Sequence, residues 1–157
     1  MLECFKKRPF MWANHVWNMF DFAADARNQG GEPGMNHKGL VTFDRKIKKD
    51  SFYLYKAYWN PEPMVHIAGK RYEYRPEKVT TVTVYTNCQS VTLFVNGKKL
   101  ETKSGGKVLT FRVTLGEGTK LEAVCGDVRD EAVLHFTPNP VKAYKLNKKV
   151  AGGGNWT

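Results

Sequence analysis

The chain has 157 residues, 25 basic and 15 acidic side chains, a net charge of +10, and is 41% hydrophobic and 13% aromatic. This composition suits one packed domain with a smaller appendage, and no stretch approaches the run of about eighteen apolar residues that spans a bilayer, so no membrane partner is expected. The basic surplus raises nucleic acid as a partner, but Lys46, Lys48, Lys49, Lys98, Lys99, Lys145, Lys148 and Lys149 are scattered. They accompany no helix-turn-helix, zinc spacing or RNA-binding signature, so they read as solvated surface and no nucleic-acid partner is expected.

The N-terminal residues Met1-Leu2-Glu3-Cys4-Phe5-Lys6-Lys7-Arg8 place charges where a signal peptide needs its apolar centre. Glu3 to Pro9 reads as the end of a helix, and Met11 to Phe22 as a strand. Its richest part, Val16-Trp17-Asn18-Met19-Phe20-Asp21-Phe22, needs cover on both faces, as parallel strands of α/β proteins have. A single strand of this kind leaves backbone donors and acceptors without partners, and self-association of the isolated chain through Met11 to Phe22 is expected.

Ala23 to Gly39 holds four glycines and a proline and reads as a loop, and its stretch Gln29-Gly30-Gly31-Glu32-Pro33-Gly34 cannot hold helix or strand. Loops of this length in compact proteins are functional or disordered. Asp50 is the expected N-cap of a helix over 51–59, with Phe52, Tyr55 and Trp59 on one stripe. Asn60-Pro61-Glu62-Pro63 stops that helix and marks a domain boundary.

Past the boundary the period shortens to two. Val82, Val84, Thr86 and Cys88 share a face, as do Val91, Leu93 and Val95, and again Leu109, Phe111, Val113 and Leu115. Asn96-Gly97 is a hairpin turn, and further strands are expected over Met64 to Tyr74, Leu121 to Cys125 and Ala132 to Phe136. Five to seven short strands make residues 61–138 a β-sandwich of immunoglobulin type, so the fold class is mainly β. Residues 139–157, with a glycine triplet and no period, read as a tail. Tyr72 and Tyr74 alternate with charges and are expected to cover the core or a neighbouring domain rather than to stack on a sugar. Cys88 and Cys125 end two of these strands facing inward. They are expected to be buried free thiols, with a bridge between them as the alternative.

The segments "VWNMFDFA", "NHKGLVTFDRKIKKDSFYLYKAYW" and "VTLFVNGKKL" resemble the C-terminal part of a family 2 glycoside hydrolase, the family of β-galactosidases, β-glucuronidases and β-mannosidases. The resemblance implies that residues 1–60 are the last strand, loop and helix of a (β/α)8 barrel and that 61–138 is the sandwich following it. Retaining hydrolysis needs two carboxyl groups about 5 to 5.5 Å apart. The resemblance puts both glutamates on earlier barrel strands, so no catalytic residue is assigned here and the isolated chain is expected to be inactive. Glu3, Glu32, Asp21, Asp25 and Asp44 lack a paired carboxylate and read as structural or solvated. His15, His37, His66 and His135 are dispersed, so neither metal nor cofactor is expected.

What the resemblance does carry over is substrate contact. Trp17 corresponds to a tryptophan that floors the sugar site, at the strand end where barrel active sites gather. Asn36 and Lys38 resemble an N-x-K pair by which β-glucuronidases hold the sugar carboxylate, while the surrounding residues also resemble the β-galactosidase version, in which the two would only position the loop; Asp44 and Arg45 are read as bracing it. The expected parent is β-galactosidase-like, with a β-glucuronidase-like parent as the alternative. Its partners would be a carbohydrate substrate and the remainder of the barrel. A non-catalytic carbohydrate-binding or interaction domain is the competing reading, and the compartment is left open.

Overall fold

The computed structural model describes residues 4–5, 7–28 and 32–138. The expected tail over 139–157 lies outside the described residues, as do Gln29 to Gly31 of the glycine-rich loop and part of the helix end at Glu3 to Pro9. In chain order the elements are β1 (Phe22–Ala23), β2 (Met35–Asn36), α1 (Asp50–Trp59), β3 (Val65–Ile67), β4 (Tyr74–Arg75) and β5 (Val79–Thr86). They continue with β6 (Ser90–Val95), β7 (Lys98–Ser104), β8 (Val108–Thr114), β9 (Thr119–Cys125) and β10 (Val128–Phe136).

Strands β3 to β10 form two sheets, one ordered β4-β10-β9-β6-β7 and the other β3-β5-β8. All pairings are antiparallel except the short β4–β10 contact. The alternating rows read from the sequence are the rows that bury. Val82 and Val84 of β5, Val91 and Leu93 of β6, Phe111 and Val113 of β8, Leu121 and Ala123 of β9, and Leu134 of β10 share one core. Each fully buried branched or aromatic side chain of this set stabilises the fold by about 1.5–3 kcal/mol.

Several elements differ from expectation for identifiable reasons. The strand expected over Met11 to Phe22 is absent as a regular element. Residues 18–21 find partners only in the segment after the loop: Leu40 N donates to Asn18 O at 3.0 Å, Val41 N to Met19 O at 2.9 Å and Asp21 N to Val41 O at 2.9 Å. Residues 11–16 adjoin no strand among the described residues, and extended chain without a neighbour has no ladder to join. The strand expected over Met64 to Tyr74 is broken after Ile67 by a turn in which Gly69 has φ +73°. β7 escaped notice because its seven residues, Lys98–Ser104, are polar at nearly every position and show no apolar alternation.

The helix begins one residue early. Lys49 is its N-cap and Asp50 its first residue, so the Asp50 carboxylate is released to accept from the Gly69 amide at 2.8 Å. Its packed side is also not the expected stripe. Ala57 is the buried residue of α1, while Trp59 is exposed and leans on Tyr55 at 4.7 Å between ring centroids. Asn87 ties the segment after the helix to the sandwich, donating to Asn60 O at 2.9 Å and accepting from Met64 N at 2.8 Å.

The cysteines are also a correction. Cys88 and Cys125 form a disulfide, with Cα atoms 6.4 Å apart. β5 ends at Thr86, so Cys88 does not sit on that strand's inward face but in the crossing from one sheet to the other. That placement brings it to the end of β9.

Candidate functional site

Phe22 is the hub of the site. Its ring meets the Trp17 indole edge to face, with centroids 6.2 Å apart, and its backbone pairs with Asn36 across β1 and β2. Trp17 is 73% exposed, and the Trp17–Asn18 peptide is cis. Trp17, Asn18, Met19, Phe20, Asp21, Phe22 and Arg45 line an open cleft of about 390 Å³. An exposed indole bordering such a cleft is the kind of flat apolar surface that a pyranose ring covers.

Asn36 is the opposite case, a polar side chain only 1% exposed. Its Oδ1 accepts the Lys38 amide at 2.9 Å, leaving Nδ2 with no partner. The buried unpartnered side-chain atoms among the described residues are this Nδ2, Asn18 Oδ1 and His37 Nε2. All three belong to the strand piece and the loop around Phe22. A buried donor left unpaired is costly and marks a position completed by something else. Lys38 is exposed.

Sequence reasoning left Asp21 without a partner, and the structure supplies one. Asp21 is 2% exposed, and Lys49, 28 residues later, is 7% exposed. Lys49 Nζ lies 2.7 Å from Asp21 Oδ1 and also donates to His37 O at 2.7 Å. The same Oδ1 accepts the Gly39 amide at 2.8 Å. Gly39 is required here, because a Cβ would overlap the backbone of Phe20 and Asp21. An ion pair of this kind leaves no local sequence trace, since neither residue follows a periodic pattern.

Asp44 and Arg45 form the next turn. Asp44 Oδ1 accepts from Thr42 Oγ1 at 2.6 Å and from the Lys46 amide at 3.1 Å. The Thr42 hydroxyl and the Lys46 amide hold this carboxyl below its ordinary value. Arg45 has φ 65°, donates to Phe43 O at 2.8 Å, and sets its guanidinium 4.0 Å above the Phe20 ring, a cation–π contact that walls the cleft. Among the described residues no group of three potential metal ligands occurs.

On the sandwich, Tyr74 stacks on His135 with centroids 4.9 Å apart, and Tyr72 lies beneath the Arg75 guanidinium at 5.6 Å. Both tyrosines are therefore engaged within the domain. A shallow depression is lined by Lys70, Glu73, Glu131, Ala132 and Val133.

Residues 77–133 match a sequence family described as a domain of unknown function, DUF4982. A β-glucuronidase of Bacteroides fragilis is 47% identical over 117 residues, covering 71% of this chain and 17% of that protein. The crystal structure of an FMN-binding β-glucuronidase from Facaelibacterium prausnitzii L2-6 superposes with a TM-score of 0.85 and 49% identity, over 90% of this chain and 22% of that one. A β-galactosidase of Bacteroides ovatus is 26% identical over 98 residues, 62% of this chain and 11% of that protein. The chain thus spans about a fifth or less of these relatives' lengths.

Proposed function

From the premise that this chain resembles the C-terminal part of family 2 glycoside hydrolases of the β-glucuronidase and β-galactosidase type, we propose that it supplies the sugar-contacting loop of an enzyme hydrolysing terminal β-glucuronides with retention. The carrying observation is the buried Asn36 amide with its unpartnered Nδ2. With Oδ1 already engaged by the Lys38 amide, what the pair has left to offer is donors: one amide N–H₂ and one ammonium. Donors of this kind suit a carboxylate better than a hydroxymethyl group, because charge-assisted bonds are roughly twice as strong as neutral ones. Trp17 floors the ring, and the paired carboxylates that retention requires come from elsewhere in the enzyme. On this reading the isolated chain turns nothing over.

The second reading is a β-galactosidase, favoured by the likeness to the Bacteroides ovatus enzyme. Full-length enzyme assayed on matched nitrophenyl glucuronide and galactoside chooses between them. Lys38→Ala should lower kcat/KM for the glucuronide about tenfold or more, the scale of one lost hydrogen bond to a charged group. An equal loss on both substrates would remove the carboxylate role.

The FMN in the name of the Facaelibacterium structure belongs to that protein, and the sandwich depression described above does not suit it. A flavin phosphate needs clustered donors, and the sandwich depression instead sets Glu73 and Glu131 beside one lysine that is already bonded to Asp130 at 2.5 Å. It does not fit.

A further inference from the structure

We infer that the buried Asp21–Lys49 ion pair is the positioning device that fixes Lys38 for sugar discrimination, an inference that rests on the uronate reading of Asn36 and Lys38. Three bonds grip the two peptide groups on either side of the Lys38 Cα. The carbonyl of the first, His37 O, accepts from Lys49 Nζ at 2.7 Å. The N–H of that same peptide donates to Asn36 Oδ1 at 2.9 Å. The N–H of the second peptide, on Gly39, donates to Asp21 Oδ1 at 2.8 Å. The backbone of Lys38 is thereby held while its side chain stays exposed.

The ion pair joins the ends of the device. Asp21 lies on the strand piece just before β1, Lys49 is the N-cap of α1, and 2.7 Å separates their charged atoms. Lys49 also donates its own amide to Leu40 O at 2.9 Å. Both partners are more than nine-tenths buried, where apolar residues of similar volume are often as good or better for stability. What such residues could not do is offer a donor to His37 O and an acceptor to Gly39 N at once. The pair touches no reacting atom. It acts through the loop, so Asp21 and Lys49 are positioning residues.

The test uses the full-length enzyme and two readouts. Lys49→Met and Asp21→Asn are assayed on nitrophenyl glucuronide and galactoside, and amide hydrogen exchange is followed at Lys38 and Gly39. The glucuronide-to-galactoside ratio of kcat/KM should fall about tenfold, the scale of one displaced charge-assisted bond, with the change in KM for the glucuronide. Lys49→Arg, which keeps charge and donors, should recover part of that ratio. Exchange at both amides should accelerate in Lys49→Met and Asp21→Asn. If both substrates lose equally in a folded variant, or if exchange at the two amides is unchanged, the inference is overturned. A wild-type enzyme with no preference for the glucuronide would overturn the uronate reading and the discrimination with it. Amide exchange would then decide alone whether the pair holds Lys38.

Discussion

The Tyr53 ring lies flat on the ring of His66, with centroids 3.7 Å apart and planes within 9°. This is where α1 meets the sandwich, and both His66 nitrogens face carboxylates there. Nε2 is 2.9 Å from Asp50 Oδ1 on the helix, and Nδ1 is 3.5 Å from Asp130 Oδ2 on β10. Asp130 in turn accepts the Ile67 amide at 2.7 Å. One imidazole therefore spans helix and sheet, and its contacts tie α1 to the sandwich.

This junction gives the fold an acid-sensitive edge. Burial raises the Asp50 carboxyl, but the hydrogen bonds from His66 and the Gly69 amide, with the charges of His66 and Arg71, outweigh it and hold the group below 3.8. A carboxyl depressed in the folded state contributes stability that is present above its unfolded value and is lost as pH falls through its folded value. Thermal melts taken from about pH 6 down to about pH 2.5 should show the wild-type midpoint falling in that window. Asp50→Asn should melt lower near pH 6 and converge with wild type in acid. Curves that stay parallel would remove Asp50 from the junction.

The Cys88–Cys125 bridge closes a loop with a sequence separation of 37, and chain entropy puts its contribution at about 3–4 kcal/mol. Denaturant titration with and without reductant should differ by that amount. Unreduced, denatured protein should expose the thiol of Cys4 alone, because Cys88 and Cys125 are paired. Titration of all three cysteines without reductant would contradict the bridge.

Arg75 is 8% exposed and has acceptors on every side. Its guanidinium donates to Tyr72 O at 3.2 Å, Gly69 O at 3.2 Å, Thr81 O at 3.3 Å and Thr80 Oγ1 at 3.3 Å. Burial lowers its pKa, opposed by Tyr72, Glu77 and Asp50. Arg75→Ala leaves these acceptors unpaired and should cost about 2–4 kcal/mol in urea unfolding. Arg75→Lys should recover little of it, since a single ammonium cannot reproduce the planar fork. A loss below about 0.5 kcal/mol, the range of ordinary surface changes, would show the cradle to be unimportant.

Phe10, Met11, Trp12, Trp17 and Met19 are all exposed, with Trp12 at 95%. Large apolar groups so close together favour association. The isolated chain should show a mass that rises with concentration in light scattering, and Trp12→Ser with Met19→Ser should suppress the rise. A monomer at every concentration would reject association through this segment.

The sandwich was legible in the sequence because alternation is a local property. Val82 and Val84, Val91 and Leu93, and Phe111 and Val113 each announce a buried face within a few residues, and all six are buried. Asn96, with φ 50°, and Gly97, with φ 77°, adopt the turn that their dipeptide indicates. The site was legible only in part. Trp17, Asn36 and Lys38 could be singled out by resemblance, but the Asp21–Lys49 pair, the Arg75 cradle and the Tyr53–His66 stack join residues whose spacing carries no period. Such contacts are set by tertiary approach. The same limit explains Cys88, whose face was extrapolated from a strand that had already ended.

The outermost strand of the larger sheet, β7, presents Lys98, Lys99, Glu101 and Lys103 along its length. A free strand edge is ordinarily an invitation to add another chain, and lysines there repel a second copy of themselves. A second copy that tried to lengthen the sheet by docking its own β7 here would set lysine against lysine, so this edge is guarded against ribbon growth by like-to-like addition.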